Sequence, residues 1–202
     1  MTFRKHSATL FLCKKYFNKI NTLLDTFINY YNFNENKLRK YRDMNEITKN
    51  TDKIINEFWQ SFLKDTNLDK KTKYIESFHF EMTEKLANEL LNLVLIGKKK
   101  ATASSKLFYD IENQPMPKEV DYSIVTDWDG NPRCVIKTTS VKVMPFKEET
   151  YDICKKEGED ENLESWQQGH IKFFTNEAKE YGYNFSEDMP VVFEEFEVVY
   201  KK

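Results

Sequence analysis

The spacing of apolar residues changes from a helical period to a strand period between Gly97 and Ala101, and this change constrains the fold more than any other feature. The residues before Gly97 form an apolar stripe with helical spacing: Leu86, Leu90, Leu91, Val94 and Leu95. From Ala101 onward the apolar residues recur with a period of two, which is typical of strands. We therefore predict an α+β domain in which helices surround a small antiparallel sheet, curved or closed on itself.

Capping residues and apolar stripes define the other helices. Thr51 and Thr83 are of the type that begins helices, and Gly182 is of the type that ends them. Together with the stripes, they predict helices over residues 10–31, 51–63, 83–96, 148–157 and 163–181.

The strands are predicted from β-branched and aromatic runs. Such runs occupy residues 74–80, 120–126, 133–143 and 191–200. The second and third runs flank Asp129-Gly130, a dipeptide that favours a tight hairpin turn. These two strands should therefore pair in antiparallel fashion.

Charge divides the chain near residue 50. Residues 1–50 carry ten Lys and Arg against four Asp and Glu, whereas the remainder is acidic and the whole chain has a net charge of −2. We therefore predict a basic helical extension over residues 1–50 and a globular domain over residues 51–202. A basic segment attracts nucleic acid, but a solvated helix face gives the same residue count. The apolar stripe of the extension is also suited to docking a partner or a second copy of the chain, so an oligomer is one expectation.

The cysteines and the hydropathy of the chain predict where the protein is located. The cysteines are few, widely spaced and odd in number: Cys13, Cys134 and Cys154. They predict neither a disulfide framework nor a metal site, no cofactor is expected, and the reducing cytoplasm is the predicted location. The apolar cluster at residues 8–13 is interrupted by two lysines, so we predict no signal peptide and no membrane contact.

The segment after the central helix is the best candidate for a ligand pocket. Gly97 lies where a left-handed helix cap is needed, and the strand that follows can aim Lys99 and Thr102 into one cleft. Neighbouring candidate ligand-binding residues are Gly97, Lys98, Lys100 and Ser104. The alternative is a solvated lysine cluster at a helix C-terminus, where cations are favourable, with Thr102 as an ordinary strand residue.

Three residues outside this segment are further candidate ligand contacts: Tyr122, His170 and Ser186. His170 lies one helical turn after Trp166, so the two rings can stack on a base or line a cleft. Each candidate has a structural alternative. Aromatic and histidine side chains also pack in cores, and Ser186 also suits a turn before the last strand.

The string Gly97-Lys98-Lys99-Lys100-Ala101-Thr102 resembles the glycine-x-lysine-x-x-threonine signature of the ASCH family, the domains related to a segment of activating signal cointegrator 1. The resemblance covers residues 54–200 and includes Val143-Met144-Pro145-Phe146, Lys156-Glu157-Gly158-Glu159, Leu163-Glu164-Ser165-Trp166 with His170, and the segment 185–192. It implies a PUA-like β-barrel with a cleft over the barrel mouth that is suited to RNA or a nucleoside.

The resemblance also implies two activities. Some small ASCH members are amidohydrolases that remove the acetyl group from N4-acetylcytidine, and others are described as ribonucleases. The amidohydrolase set is a lysine, a threonine and a glutamate, which correspond here to Lys99, Thr102 and Glu157, with Glu159 and Glu149 as alternatives for the glutamate. In such a site Thr102 attacks or positions water, Lys99 activates it or holds the oxyanion, and the glutamate moves a proton. Binding of RNA or a nucleoside is the first hypothesis, and hydrolysis is the alternative.

Overall fold

A five-stranded sheet with helices on both faces makes up the part of the chain that the computed structural model describes, residues 35–81 and 83–201. In chain order its elements are α1 (Glu35–Thr66), β1 (Glu76–Phe78), α2 (Glu84–Leu95), β2 (Ala101–Ser105), α3 (Lys106–Ile111), β3 (Tyr122–Thr126), β4 (Pro132–Pro145), α4 (Tyr151–Cys154), α5 (Leu163–Tyr181) and β5 (Pro190–Lys201). Single 3₁₀ turns at Phe146–Glu148 and Lys155–Glu157 flank α4.

The strand order in the sheet is β1-β3-β4-β5-β2. The β3–β4 hairpin at the Asp-Gly turn is confirmed, and β5 pairs in antiparallel fashion with β4 and β2. The expectation of a wholly antiparallel sheet is wrong at one edge, because β1 pairs parallel to β3. Register shifts interrupt the long β4–β5 ladder, as β-bulges do where strands bend. The sheet forms a half-barrel, which confirms the α+β prediction.

The β5 strand extends beyond its partner on one side. Its first half pairs with β2 as far as the register Ala101–Glu195. Among the described strands its second half pairs with β4 alone, and the Phe196 N–H donates to the Lys100 carbonyl at 2.8 Å. The free edge of this second half faces the C-terminal end of α2, where the Lys201 Nζ donates to the Leu95 carbonyl at 3.3 Å. The end of α2 and the segment that follows it therefore lie beside an unpaired strand edge.

The first described helix corrects one predicted boundary. The α1 helix is continuous from Glu35 to Thr66, so the predicted helix start at Thr51 is wrong. Residues 35–50 are rich in Glu, Lys and Arg, which have high helix propensity and extend the helix towards its N-terminus. The second half of α1 packs on the sheet through Ile55, Phe58, Trp59, Phe62 and Leu63.

Two further helix predictions, 83–96 and 163–181, are confirmed in position. Thr83 is the N-cap residue of α2, and α5 occupies residues 163–181 with Gly182 in the left-handed conformation after it. The segment 148–157 is not one helix, because it is divided between α4 and the 3₁₀ turns on either side. The short α3 helix was not predicted.

Two predictions fall on the N-terminal region. The amphipathic helix predicted over residues 10–31 lies outside the described residues, and the domain boundary near residue 50 stays a prediction. Within residues 35–81 and 83–201, no helix is long and apolar enough to cross a membrane.

Candidate functional site

A tight turn joins α2 to β2 and sets the position of the lysines. Gly97 has a φ of +73°, as the predicted left-handed cap requires. The backbone N–H groups of Lys98 and Lys99 both donate to the Leu93 carbonyl, at 2.9 and 3.0 Å. The Lys100 N–H donates to the Lys156 carbonyl at 2.8 Å. The last bond attaches the Lys155–Glu157 turn to the chain where β2 begins.

Gly158 allows these two turns to approach closely. Its φ is +76°, and a Cβ at this position would lie 2.6 Å from the Lys98 carbonyl oxygen. Only a residue without a side chain fits between the two segments. The contact therefore holds the acidic turn against the lysine turn.

Lys99 is buried in this contact, with 1% of its surface exposed. Its Nζ donates to the Ala101 carbonyl at 2.6 Å, to Glu159 Oε1 at 3.0 Å and to Glu157 Oε2 at 3.5 Å. Three acceptors, two of them carboxylates, match the three N–H donors of an ammonium group. The geometry therefore corresponds to a charged lysine between two acidic residues.

Glu157 connects Lys99 to the α5 helix. Its Oε1 accepts a hydrogen bond from Trp166 Nε1 at 2.8 Å and lies 3.6 Å from His170 Nε2. The His170 ring stacks on Trp166 with a centroid separation of 3.9 Å, and its Nδ1 lies 2.9 Å from the Trp166 carbonyl. The carbonyl can only accept, so Nδ1 carries the proton. Burial lowers the pKa of His170 to about 4, so the ring is neutral at pH 7.

The strand register places Thr102 on the same face of the sheet as Phe196. Thr102 lies directly opposite Glu194, two residues before Phe196 on β5. The Phe80 ring stacks on Phe196 at 6.4 Å, and the Lys99 Nζ lies 5.1 Å from the Phe80 centroid. Lys99 thus lies over a ring that stacks on Phe196, and no hydrogen bond joins Lys99 to Thr102.

The Thr102 hydroxyl is buried and its Oγ1 has no hydrogen-bond partner among the described residues. Such atoms are rare in proteins, because a buried polar group without a partner loses its hydrogen bonds to water. The neighbouring Ser104 differs, since its Oγ lies 3.2 Å from the Tyr109 hydroxyl. Within this strand, Thr102 is thus a buried hydroxyl that the fold leaves without a hydrogen-bond partner.

A cavity of about 650 Å³ lies beside the motif, between the end of α2 and the unpaired edge of β5. It is lined by Val94, Leu95, Ile96, Gly97, Lys99, Lys100 and residues 196–201. Of the predicted ligand residues, Gly97 and Lys100 line it, whereas Lys98 is exposed on the turn and Ser104 is buried on β2.

Two predicted ligand residues lie elsewhere. Tyr122 packs against Trp59 and Phe62 on the α1 face of the sheet, with ring centroids 5.9 and 5.5 Å away. Ser186 is exposed in the loop before β5, where its carbonyl accepts from the Met189 N–H at 3.0 Å. Core packing and turn formation account for these two residues.

Two buried groups near the site were not found from the sequence. Glu194 is buried in β5 and its Oε1 accepts from the Thr138 hydroxyl at 2.7 Å. A glutamate at a position that the strand alternation places on the same face as Phe196 is the signal that could have identified it. Phe80, under the lysine, gave no signal, because aromatic residues are common in strands of any function.

Comparisons with known proteins agree with this geometry. A family model for the ASCH domain matches residues 76–200. The ASCH domain of Lactobacillus crispatus JV V101 has 33% identity and a TM-score of 0.68, over 73% of this chain and 95% of that one. A protein of Enterococcus faecalis V583 has 34% identity and a TM-score of 0.66, over 73% of this chain and 88% of that one. The search of curated proteins found no match. The chain therefore belongs to the ASCH domain family.

Proposed function

We propose that this ASCH domain binds an RNA base or a modified nucleoside at the Gly97–Thr102 segment. The observation that carries the proposal is the burial of Lys99 with Glu157 and Glu159 beside a hydroxyl that lacks a partner. Burying three charges costs more free energy than an apolar core of the same volume, and such clusters are concentrated at functional sites. A ligand with hydrogen-bonding edges would supply the partner that the Thr102 hydroxyl lacks.

The adjacent cavity supports a ligand of nucleoside size. Its volume of about 650 Å³ lies within the range typical of small-molecule pockets. Its lining combines apolar side chains such as Val94 and Ile96 with the cations Lys100 and Lys201. An aromatic base fits the apolar part, and a ribose or phosphate fits the charged rim. A cytoplasmic setting, where RNA and nucleosides occur, belongs to the same proposal.

Binding is tested by titrating N4-acetylcytidine, cytidine and single-stranded RNA into the protein at several salt concentrations. We expect Lys99→Met to weaken binding at least tenfold, because it removes the ammonium group at the centre of the cluster. The matched control is Lys98→Met, the exposed neighbour, which should stay within about twofold of the unmodified protein. Absence of binding to all three ligands, even at low salt, would overturn the proposal.

Amide hydrolysis is the second candidate function, favoured by the pairing of Lys99 with Glu157 across the turn. An ammonium group can hold the oxyanion of a tetrahedral intermediate. A carboxylate beside it can take a proton from water and return it to the leaving amine. Thr102, on the strand that follows the lysine turn, would position that water. For N4-acetylcytidine, the products would be cytidine and acetate.

Turnover distinguishes the candidates. The protein is incubated with N4-acetylcytidine, and cytidine is measured by chromatography. Thr102→Val and Glu157→Gln should each lower the rate at least a hundredfold, and Lys98→Met should leave it unchanged. No turnover by the unmodified protein would reject amide hydrolysis while leaving ligand binding to its own test. Shortened fragments after incubation with RNA would instead indicate ribonuclease activity.

A further inference from the structure

Glu194 is a buried carboxyl group that the proposed chemistry does not use. It lies in β5 with only 1% of its surface exposed, and the strand register places it directly opposite Thr102. Residues directly opposite each other in an antiparallel pair lie on the same face of the sheet, with Cβ atoms about 5 Å apart. The Thr102 hydroxyl, which has no hydrogen-bond partner among the described residues, therefore has a carboxyl-bearing residue as its neighbour across the strands.

A bulge in β4 brings a second hydroxyl to Glu194. The register passes from Thr138 to Ser140, which makes Thr139 the extra residue of β4. At this bulge the Thr138 hydroxyl donates to Glu194 Oε1 at 2.7 Å. Bulges are frequent next to functional sites, because the local bend of the strand re-aims a side chain. The direction of the Glu194 carboxyl group is thus set by a hydrogen bond from the neighbouring strand.

A strained turn before β3 holds Thr138 in place. Val120 has a φ of +68°, a left-handed conformation that is strained for a β-branched residue, although 66% of its surface is exposed. Its N–H donates to the Thr138 carbonyl at 2.9 Å, and the Thr138 N–H donates to the Asp121 carbonyl at 2.9 Å. Backbone strain persists where surrounding contacts impose it, and it is concentrated at functional sites. Here the strained residue makes one of the two hydrogen bonds that fix the backbone of Thr138.

The Thr102–Glu194 pair lies next to the cavity of about 650 Å³. Lys100 and Phe196 both line this cavity, and each is two residues along the chain from its member of the pair. Strand alternation places Phe196 on the same face as Glu194, and its N–H donates to the Lys100 carbonyl at 2.8 Å. Two residues of extended chain span about 7 Å. A ligand in the cavity beside Phe196 is therefore one such step from both Thr102 and Glu194.

We propose that Glu194 is a specificity-determining residue of the ligand site and accepts a hydrogen bond from an N–H group on the edge of the base. The inference rests on the proposed binding of a base or nucleoside and deepens it. An ionised carboxyl group only accepts hydrogen bonds and has about four acceptor positions, one of which takes the Thr138 hydroxyl. The Thr102 hydroxyl can donate to a ring nitrogen beside that N–H. The ligand class is therefore a base with an exocyclic amino or acylamino group next to a ring acceptor, as in cytosine and adenine.

The first test removes the acceptor from the protein and the donor from the ligand. Cytidine and N4,N4-dimethylcytidine, which has no N–H on its base, are titrated into the unmodified protein and into Glu194→Gln. The unmodified protein should bind the dimethyl compound about tenfold more weakly or worse, because the buried acceptor then loses its partner. In Glu194→Gln the difference should shrink to about threefold, since either change alone removes the same charge-assisted hydrogen bond. Glu195→Gln, the neighbour on the other face of the strand, is the matched control and should keep the full difference.

The second test addresses Thr138, which acts through Glu194 as a positioning residue. Thr138→Val removes the hydroxyl and should reduce the same preference for cytidine, whereas Thr138→Ser keeps the hydroxyl and should restore it. Thr139→Val changes the exposed bulge residue and should leave the preference unchanged. A purely structural hydrogen bond would lower the urea midpoint of Thr138→Val without altering the ratio of two affinities measured on folded protein.

The outcomes separate this inference from the proposed function. Equal affinity of the unmodified protein for the two nucleosides would overturn the role of Glu194 and leave nucleoside binding intact. An unchanged preference in Glu194→Gln would overturn it as well. Absence of binding to cytidine, N4-acetylcytidine and single-stranded RNA would reject the proposed function, and the inference with it.

Discussion

The α1 face of the sheet and the region around Lys99 are both buried, but they differ in the polar and charged groups that they bury. On the α1 face, aromatic rings pack in tilted and edge-to-face pairs, and two of their polar atoms have partners: Trp59 Nε1 donates to the Thr72 carbonyl at 3.3 Å, and the Tyr200 hydroxyl to Asp65 at 2.7 Å. Around Lys99, charges are buried and two polar side chains, Thr102 and Glu149, lack partners among the described residues. Burial on the α1 face therefore costs little free energy of desolvation. Burial around Lys99 costs more, because charged groups and polar atoms without partners are removed from water.

This difference separates the region that stabilises the fold from the region where we propose that a ligand binds. Apolar surface removed from water stabilises the fold roughly in proportion to its area. A buried ion cluster contributes little or nothing to net stability, yet it presents fixed charges in a medium that strengthens their action on a ligand. We therefore expect substitutions on the α1 face to change stability without changing ligand affinity. Substitutions around Lys99 should change ligand affinity, and their effect on stability need not follow it.

The largest expected effect on stability is on the α1 face. Trp59→Ala removes a buried indole that contacts Phe62, Tyr74 and Tyr122, and it should lower the free energy of unfolding by about 4 kcal/mol. Urea denaturation measures this loss, and calorimetry measures ligand affinity below the transition. The affinity of the folded protein should not change. A weaker affinity in the folded state would show that the two regions are not separate.

Acid should destabilise the protein through His170, which lies in the Lys99 region. The unfolded chain binds a proton below about pH 6.5, whereas buried His170 resists protonation down to about pH 4. Stability should therefore decrease as pH falls between these values, by about 3 kcal/mol in total. His170→Phe keeps a ring on Trp166 and should remove this decrease, as measured by unfolding at pH 4–7. The control His79→Phe should retain it. An unchanged acid profile in His170→Phe would contradict the prediction.

A matched pair of glycine substitutions sharpens the comparison. Gly158→Ala places a methyl group against the Lys98 carbonyl and should cost about 2 kcal/mol while weakening ligand binding, because the two turns must separate. Gly182→Ala has a similar φ of +77° but nothing within 4 Å, so it should cost about 1 kcal/mol and leave binding unchanged. Thermal unfolding and calorimetry measure the two quantities. Equal effects of both substitutions on binding would argue against a functional contact at Gly158.

One substitution near Lys99 should increase stability by a small amount. Thr102→Val replaces a buried hydroxyl without a partner by a methyl group, and it should raise the free energy of unfolding by about 1 kcal/mol. The same change should weaken nucleoside binding, since the hydroxyl is kept for the ligand. Ser104→Ala, which removes a hydroxyl paired with Tyr109, is the control and should be destabilising. Loss of stability in Thr102→Val would indicate that the hydroxyl has a structural role.

Long periodic elements were predictable from sequence because each carries its own signal. The α5 helix and the β3–β4 hairpin combine regular apolar spacing with terminal residues of defined backbone preference. The α3 helix has six residues, which is too few for a period to emerge, and its cap is a single Ser105. The parallel pairing of β1 depends on contacts with distant chain segments, which local patterns do not encode.

The site was predictable only in part. The Gly97 cap and the lysine segment follow from local rules, whereas the assignment of Glu157 depended on the family resemblance. Glu157 and Glu159 both contact Lys99, so nearness to the lysine does not choose between these two glutamates. The missing hydrogen bonds of Glu149 and Thr102 are properties of the packed chain, and no sequence pattern reveals an absent partner.

The acidic partners of Lys99 lie 58 and 60 residues away along the chain. Contacts between such distant segments require a large loop to close, so they form late when a domain folds. The β3–β4 hairpin is a local structure that can form earlier. We therefore expect the ion cluster to assemble after the folding transition state, and substitutions in it to change the unfolding rate far more than the folding rate. The ion cluster around Lys99 would then be the last part of the domain to form on folding and the first to be lost on unfolding.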